Sequence, residues 1–385
     1  MGQAARPRSF DGLRVLIAGG GVAGLETMLA LRDLAGDLVD VELLSPEHHF
    51  WYRPLAVGEP FGVARVQRFE LPAIAGAVGA AFTPGAIAAV EPDEHRLVTS
   101  RGAVLAYDVL VVACGTRPVA PLDGALTFRG PSDVDRLRAL LTEIASGAAR
   151  RIVFVAPRHS GWPLPLYELA LMASAQLEDR RVRGVELSVV THEPAPLAAL
   201  GAVASATVAE LLHERGIALH IGHYPLSFQS GSLELVPAQT LFADRVVALA
   251  RLQGQPVPGI SRDQDGFVST DRTGRVVGFE DVYAAGDITR FPIKHGGIAA
   301  QQGVHVAEAI AARAGAHVTQ EPFRPILHAL LLTGREPLYL RAELSPDSGA
   351  PGEVTAEPLF WPPAKIASRY LAPFLASLER GVPMP

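Results

Sequence analysis

Six residues near the start of the chain, Gly19-Gly20-Gly21-Val22-Ala23-Gly24, have the types and spacing of a phosphate-binding turn. The first glycine of such a turn permits a tight bend, the second lets backbone approach a pyrophosphate, and the third allows close helix–sheet packing. Free amides at the start of the next helix attract the phosphates. An apolar run at 14–20 and helical spacing at 25–34 predict the required strand and helix. We therefore expect a dinucleotide site containing Gly19, Gly21, Val22, Ala23 and Gly24.

The ribose of a dinucleotide is usually bound by an acid about 20 residues after the glycines, where the second strand ends. Here the predicted strand 39–45 ends at Ser45, and Glu47 follows two residues later. Ser45 and Glu47 are therefore the candidates for the ribose contact. A solvated loop carboxylate is an equally good interpretation of Glu47.

A second strand–turn–helix unit lies at residues 152–173, IVFVAPRHSGWPLPLYELALMA, and its turn holds a single glycine. Trp162 and two prolines occupy the turn, and proline offers no N–H to a phosphate. Two interpretations are open. The unit is a vestigial nucleotide domain kept for architecture, or its loop is repurposed so that Trp162 and Tyr167 shape an acceptor pocket.

Cysteine and lysine are both rare in this chain. Cys114 is the one cysteine, so no internal disulfide or dithiol pair can form. Lys294 and Lys365 are the two lysines among 34 basic residues. A coding bias toward arginine is one explanation, and a plain surface lysine is one interpretation of Lys294. The alternative is that each lysine marks a position that requires the ammonium itself, because a compact ammonium and a planar guanidinium are not interchangeable.

The overall composition limits the function classes. With 385 residues, 49% of them hydrophobic, and a net charge of −6, the chain predicts a well-packed protein of two or three domains and excludes a nucleic-acid binder. No run approaches the roughly 18 apolar residues of a membrane span, and no signal peptide is recognisable. We expect a cytoplasmic location. Neither His48-His49 nor His220-x-x-His223 has accompanying ligands, so no metal site is predicted.

Two more predicted strands, in YDVLVVACG (107–115) and VYAAGDI (282–288), end in small residues and glycine. Together with GGGVAG they resemble the three FAD-binding segments of the pyridine nucleotide–disulfide oxidoreductase superfamily. The resemblance implies that FAD is wrapped by these strand ends, with the carboxylate of Asp287 in the ribityl and pyrophosphate region. The residues it assigns to the cofactor here are Ala113, Cys114, Gly115, Gly286 and Asp287.

Within the superfamily, VELLSPEHHFWYRPLAVG (41–58) and IKHGGIAAQQG (293–303) resemble segments of sulfide:quinone reductases and type II NADH dehydrogenases. This resemblance implies that Lys294 and the helix start at Gly297 lie beside the isoalloxazine ring. It also implies catalytic contacts from Gln301 and Gln302 to the ring or to a bound acceptor. Further cofactor contacts implied are Arg53, Pro54 and Ile87.

The resemblance has limits, because the cysteine pair of sulfide:quinone reductases is missing. Sulfide oxidation by a thiolate and disulfide reduction are therefore both excluded. In related flavoproteins the C-terminal region closes over the flavin or contacts membrane, which implies an acceptor pocket including Trp361 and Lys365. Trp361, Tyr370 and Phe374 could form an interfacial anchor, and a helix packed on its own domain or on a homodimer partner is the alternative.

The expected fold is α/β, with two Rossmann-like three-layer domains. The FAD domain is split (11–120 and 266–320) around an NAD(P)-type domain (121–265), and a short C-terminal region (321–385) follows. The expected function is FAD-dependent electron transfer from a small donor to a small acceptor such as a quinone. Alternatives are an NAD(P)H:acceptor oxidoreductase, oxidation of a sulfur species directly at flavin, and a flavin-binding sensor without turnover. NAD(P)H itself is doubtful because the second glycine motif is lost.

Overall fold

The computed structural model describes residues 12–344 and 351–380. Two parallel sheets with helices between many of their strands form the centre of this part, as the sequence predicts for an α/β protein, and antiparallel strands make up the smaller sheets. Its α-helices are α1 (Val22–Ala35), α2 (Leu71–Ala77), α3 (Val134–Ala145), α4 (Leu164–Asp179), α5 (Gly201–Glu214), α6 (Gly296–Arg313) and α7 (Leu371–Arg380).

The first parallel sheet is built from apolar runs that are buried on both faces. Val15 in its central strand lies opposite Val41 on one side and Val109 on the other. The strand order across this sheet is Val282–Ala284, Val109–Val112, Leu13–Ala18, Val39–Ser45 and Ala81–Pro84. Since these strands all run in one direction, their carboxyl ends meet at one edge, where α/β proteins bind ligands.

The chain segment that forms the second parallel sheet lies between two strands of the first sheet, Val109–Val112 and Val282–Ala284. Its strand order is Leu126–Phe128, Arg245–Leu249, Arg151–Val155, Glu186–Val190 and Ala218–His220. The first sheet is therefore assembled from two separate chain segments. This is the predicted arrangement of two Rossmann-like units with one inserted into the other.

Antiparallel strands cover the edges and join the two parallel sheets. The ribbon of Thr116–Val119 and Arg251–Gly254 carries the chain between them. The other antiparallel groups are His49–Trp51 with Arg68–Glu70; Ile87–Glu91, Arg96–Thr99 and Val104–Ala106; Tyr224–Gln229, Ser232–Val236 and Gln239–Phe242; and Ile326–Leu331, Leu338–Glu343 and Glu353–Thr355.

Helices α1 and α6 pack with their backbones close together, which aligns the start of each at the edge of the first sheet. A Cβ added to Gly303 of α6 would lie 2.7 Å from the carbonyl oxygen of Ala23 in α1. Thr27 Oγ1 donates to the Gly303 carbonyl at 3.2 Å. Only glycine permits this approach, and it brings the phosphate turn and the Lys294 segment to one place.

The C-terminal helix α7 is docked on α1 by a buried carboxylate. Glu26 accepts backbone N–H bonds from Arg369, Tyr370 and Leu371 at 2.7–2.9 Å, which satisfies donors at the start of α7. Burial raises the pKa of Glu26. Phe374 is 3% exposed. Of the two interpretations of this helix, its packing on its own domain fits Phe374, whose side chain lies in the core and is not available to an interfacial anchor.

The described helices were also compared with the length and apolarity of a membrane span. None of them is long and apolar enough to cross a bilayer.

Candidate functional site

A cavity of about 950 Å³ opens at the carboxyl edge of the first sheet. Its volume lies in the range of cofactor and ligand sites, roughly 300–1,000 Å³. The structure brings most of the predicted cofactor residues to its wall: Gly19, Gly21, Val22, Ser45, Glu47, Arg53, Pro54, Ile87, Ala113, Cys114, Gly115, Asp287 and Lys294. Segments that are far apart in sequence therefore line one site.

The glycines of the phosphate turn have different tasks. A Cβ on Gly19, whose φ is +139°, would lie 2.2 Å from the carbonyl oxygen of Ala113, and one on Gly24 would lie 1.9 Å from that of Gly19. A Cβ on Gly21 would meet no described atom within 4 Å. Gly19 and Gly24 are thus needed for packing, whereas Gly21 leaves open space at the start of α1. That space fits a pyrophosphate. Ala23 and Gly24 lie behind this wall and support it.

The ribose candidates lie at the cavity wall beside the end of the second strand. Ser45 is 2% exposed, and its Oγ accepts the N–H of Glu47 at 3.2 Å. This bond fixes the loop, and the side chain of Glu47 is exposed where the strand ends. An acid near the end of this strand usually binds a ribose in dinucleotide sites, so Glu47 stays the candidate for that contact.

Asp287 and Lys294 place one acid and one base on the same wall. Burial raises the pKa of Asp287 to about 6, and the nearby Lys294 opposes this shift. Burial lowers the pKa of Lys294 to about 8. The ammonium donates to the carbonyl of Thr289 at 2.5 Å and lies 3.9 Å from the ring centroid of Phe267. These contacts hold the compact cation in place, which accounts for a retained lysine.

Gln301 and Gln302, from which catalytic contacts were expected, do not line the described cavity wall. The amide of Gln301 pairs with the backbone N–H and carbonyl of Ile326, both at 2.8 Å, and joins α6 to the C-terminal sheet. Gln302 Oε1 accepts the N–H of Gly286 at 2.7 Å. It thereby fixes the turn that presents Asp287. Gly286 and Gly297 also lie next to the wall without lining it.

The cavity continues to a buried ion pair between Lys365 and Glu168 of α4. Their side chains are 3% and 1% exposed. Glu168 also accepts the N–H of Leu332 at 2.8 Å, and Lys365 donates to the Leu330 carbonyl at 2.7 Å. Burial lowers the pKa of Lys365, and the Glu168 carboxylate counteracts that effect. Lys365, which was assigned to an acceptor pocket, lines the cavity, and Glu168 beside it was missed by the sequence analysis. Its signal was a lone acid inside an apolar helix.

Trp162 and His295 complete this part of the wall, which we call the lysine end (Trp162, Glu168, His295 and Lys365). The two rings are 4.9 Å apart between centroids and inclined by 60°. His295 is 6% exposed, and its Nδ1 is buried with no hydrogen-bond partner among the residues described. Trp162 therefore lines the cavity, as the repurposed-loop interpretation requires, and its role toward an acceptor stays a prediction.

Two other residues assigned to the acceptor pocket lie elsewhere. Tyr167 is completely buried, and its hydroxyl donates to Glu193 Oε2 at 2.6 Å. Trp361 is 77% exposed and is not in the described wall. Tyr167 faces inward because it occupies the buried side of α4, and neither Tyr167 nor Trp361 lines the described cavity.

The turn of the second unit is closed by the protein itself. The carbonyls of His159 and Gly161 accept the backbone N–H groups of Leu252 and Lys294, both at 3.2 Å. A Cβ on Gly161 would lie 2.6 Å from Lys294 Cγ. The glycine retained in this turn therefore allows Lys294 to pack, and the turn is docked onto the wall of the first domain.

Other features of a dinucleotide-binding site are also missing from the described residues of the second unit. Helix α4 follows Pro163 and carries Pro165 in its first turn, so amides that would bind phosphate are missing. Glu193, just after the second strand of this unit, is bound by Tyr167 and Thr191. A smaller cavity of about 450 Å³ remains beside the turn and shares Ser160, Trp162 and Lys294 with the large one.

Cys114 lines the large cavity. Burial raises the pKa of its thiol to about 12, which disfavours the thiolate form.

The sequence pattern of the family described as "Pyridine nucleotide-disulphide oxidoreductase" matches residues 13–303. An NADH dehydrogenase-like protein of Mycobacterium tuberculosis is 28% identical over 309 residues, covering 71% of this chain and 72% of that protein. The sulfide-quinone reductase of Aquifex aeolicus is 26% identical over 187 residues, covering 47% of this chain and 43% of that protein.

Solved structures show the same architecture. The sulfide:quinone oxidoreductase of Aquifex aeolicus superposes with a TM-score of 0.81 at 20% identity, covering 97% of this chain and 93% of that one. The reductase of a putidaredoxin reductase–putidaredoxin complex gives 0.63 at 21% identity, covering 86% and 81%. At these identities the likeness shows the fold, and it confirms the predicted α/β class with Rossmann-like units.

Proposed function

This chain belongs to the pyridine nucleotide-disulphide oxidoreductase family, and from that premise we propose that it is an FAD-dependent enzyme passing electrons from a small donor to a small acceptor such as a quinone. The resemblance inferred from the three motifs is confirmed at the level of the family. The observation that supports the proposal is the single cavity of about 950 Å³ that joins the phosphate turn to Asp287, Lys294 and the lysine end.

The residues present fit FAD at each part of that cavity. The open space at Gly21 and the start of α1 suit the pyrophosphate, Ser45 and Glu47 suit a ribose, and Asp287 suits the ribityl hydroxyls. Bound FAD supplies reversible two-electron chemistry, and the protein supplies position and electric field. Lys294 and the amino end of α6 place positive potential beside this part of the wall.

The donor we favour is not a nicotinamide dinucleotide. The closed turn at Gly161, the prolines at α4 and the occupied Glu193 remove three contacts that such a ligand requires. An NAD(P)H:acceptor oxidoreductase is the second candidate, because the relative from Mycobacterium tuberculosis is named NADH dehydrogenase-like. The cavity of about 450 Å³ would have to admit the nicotinamide in that case.

The test is to purify the protein and identify the cofactor released on denaturation. We expect FAD at about one per chain, reduction of its absorption band by dithionite under anaerobic conditions, and rapid reoxidation by duroquinone. Protein that neither retains nor rebinds FAD contradicts the proposal. Bound FAD that no quinone reoxidises favours a sensor without turnover.

Replacing Lys294 by glutamine is expected to lower the midpoint potential of bound flavin by about 30–60 mV, roughly 1.4–2.8 kcal/mol for two electrons. In bound FAD, Lys294 would stabilise the negative charge that the ring gains on reduction, and a neutral glutamine would not. Lys294 loses its charge as the pH rises through about 8, so the difference from wild type should shrink at pH 9.5. Dye-coupled potentiometry at pH 6.5 and 9.5 measures this. Arg290→Gln, the removal of a solvent-exposed cation, is the control, and an equal shift in both variants refutes a specific role.

A further inference from the structure

Two polar atoms at the wall of the large cavity are buried without partners among the described residues, His295 Nδ1 and Ser160 Oγ. Their residues are 6% and 5% exposed. An unpaired buried donor or acceptor costs about 1–3 kcal/mol. The surrounding described residues satisfy neither atom, and both residues line the cavity, so a molecule bound there is the partner that we expect these atoms to meet.

His295 has the chemistry of a neutral recognition group. Burial lowers its pKa to about 3, with the nearby charges of Lys365 and His328 acting in the same direction. A neutral imidazole offers one N–H donor and one bare nitrogen acceptor. The ring directly precedes α6 yet makes no capping bond to it, so its hydrogen-bonding capacity is not used by the helix.

The lysine end is also nearly uncharged as a whole. The ammonium of Lys365 is paired with Glu168, and Trp162 adds a flat aromatic surface 4.9 Å from the imidazole. A carboxylate or sulfonate would find no free cation at these four residues. An uncharged planar ring would find an aromatic surface for its face and an imidazole for an oxygen at its edge.

We propose that His295 is the specificity-determining residue for the electron acceptor, and that with Trp162 it selects an uncharged planar ring bearing carbonyl oxygen, as in a benzoquinone. This inference rests on the proposed function and adds to it the residue that determines which acceptor binds.

The test uses the fluorescence of Trp162 to follow quinone binding. The chain has three tryptophans, so a Trp51→Phe/Trp361→Phe background leaves Trp162 alone. Titrating the oxidised, FAD-loaded protein with duroquinone should quench its fluorescence saturably. His295→Phe should raise the Kd about tenfold, the loss expected for one hydrogen bond. His295→Asn, which keeps a donor and an acceptor, should stay within threefold of wild type. 1,4-Naphthoquinone-2-sulfonate, which carries a fixed charge, should bind at least about tenfold more weakly than duroquinone.

His328→Asn is the matched control, since His328 is half-buried near His295 but not in the described wall. An unchanged Kd in His295→Phe overturns the proposal. It is also overturned if His295→Phe loses FAD affinity tenfold while duroquinone binding is kept, because the imidazole then serves the cofactor. Saturable quenching without quinone turnover counts against the proposed function alone. If FAD is reduced and is reoxidised by quinone but duroquinone does not quench Trp162 fluorescence, the proposed role of His295 and Trp162 is wrong and the proposed function stands.

Discussion

Lys365→Met is expected to lower the free energy of unfolding by about 3–5 kcal/mol, the usual cost of leaving a buried charge without its partner. Glu168 is 1% exposed in its side chain, and among the described residues it would keep only the Leu332 amide as a polar partner. The carboxyl group would then have to be protonated to remain inside. Urea unfolding of wild type and variant at equal FAD loading measures the effect, since bound cofactor adds to apparent stability.

Two controls separate the buried charge from a general loss of one cation. Arg14→Met breaks a pair with Asp108 whose arginine is 51% exposed in its side chain, and should cost no more than about 1 kcal/mol. The double variant Glu168→Leu/Lys365→Met removes both charges and should recover most of the loss. If Lys365→Met lowers the free energy of unfolding no more than Arg14→Met does, the ion pair of Lys365 and Glu168 does not stabilise this part of the cavity.

Gly21→Val is expected to weaken FAD binding by at least about a hundredfold, roughly 2.7 kcal/mol, while the cofactor-free protein folds as before. Gly21 has φ −86° and ψ −171°, a conformation that valine adopts freely. The new side chain would meet no described atom within 4 Å, so it enters the space assigned to the pyrophosphate. Titration of the cofactor-free protein with FAD and thermal unfolding without FAD give the two readouts.

Gly76→Ala is the matched control because Gly76 also has open space around it but lies outside the cavity wall, in α2. Its FAD affinity should not change, and its stability should rise slightly. Should Gly21→Val bind FAD as tightly as Gly76→Ala does, the phosphate turn does not hold the cofactor.

The cofactor wall could be predicted from sequence because its signals are local. The phosphate turn needs glycine at 19 and 24 for packing and at 21 for a ligand, so the spacing itself carries the information. Strand ends such as 113–115 are equally local, since a buried apolar run stops at glycine. Parallel topology then brings these ends to one edge without any knowledge of side-chain contacts.

The lysine end could not be predicted in the same way. Glu168 and Lys365 are separated by 197 positions, and no periodicity relates them. The directions of the Gln301 and Gln302 side chains could not be predicted for another reason. Successive helix positions point about 100° apart, and packing decides which face of the helix a neighbour covers. The same holds for Tyr167, which was assigned to the acceptor pocket but is buried on helix α4 against Glu193.

The most direct test of the account is an anaerobic titration of the FAD-loaded protein with NADH and NADPH while the flavin absorption is followed. Dithionite reduction and quinone reoxidation of the same sample serve as positive controls. Because Gly161 and Lys294 close the second turn and Tyr167 occupies Glu193, we predict no rapid bleaching by either nucleotide, together with full reduction by dithionite. Rapid and complete bleaching by NADH or NADPH would contradict the account and would make the protein a nicotinamide-dependent enzyme.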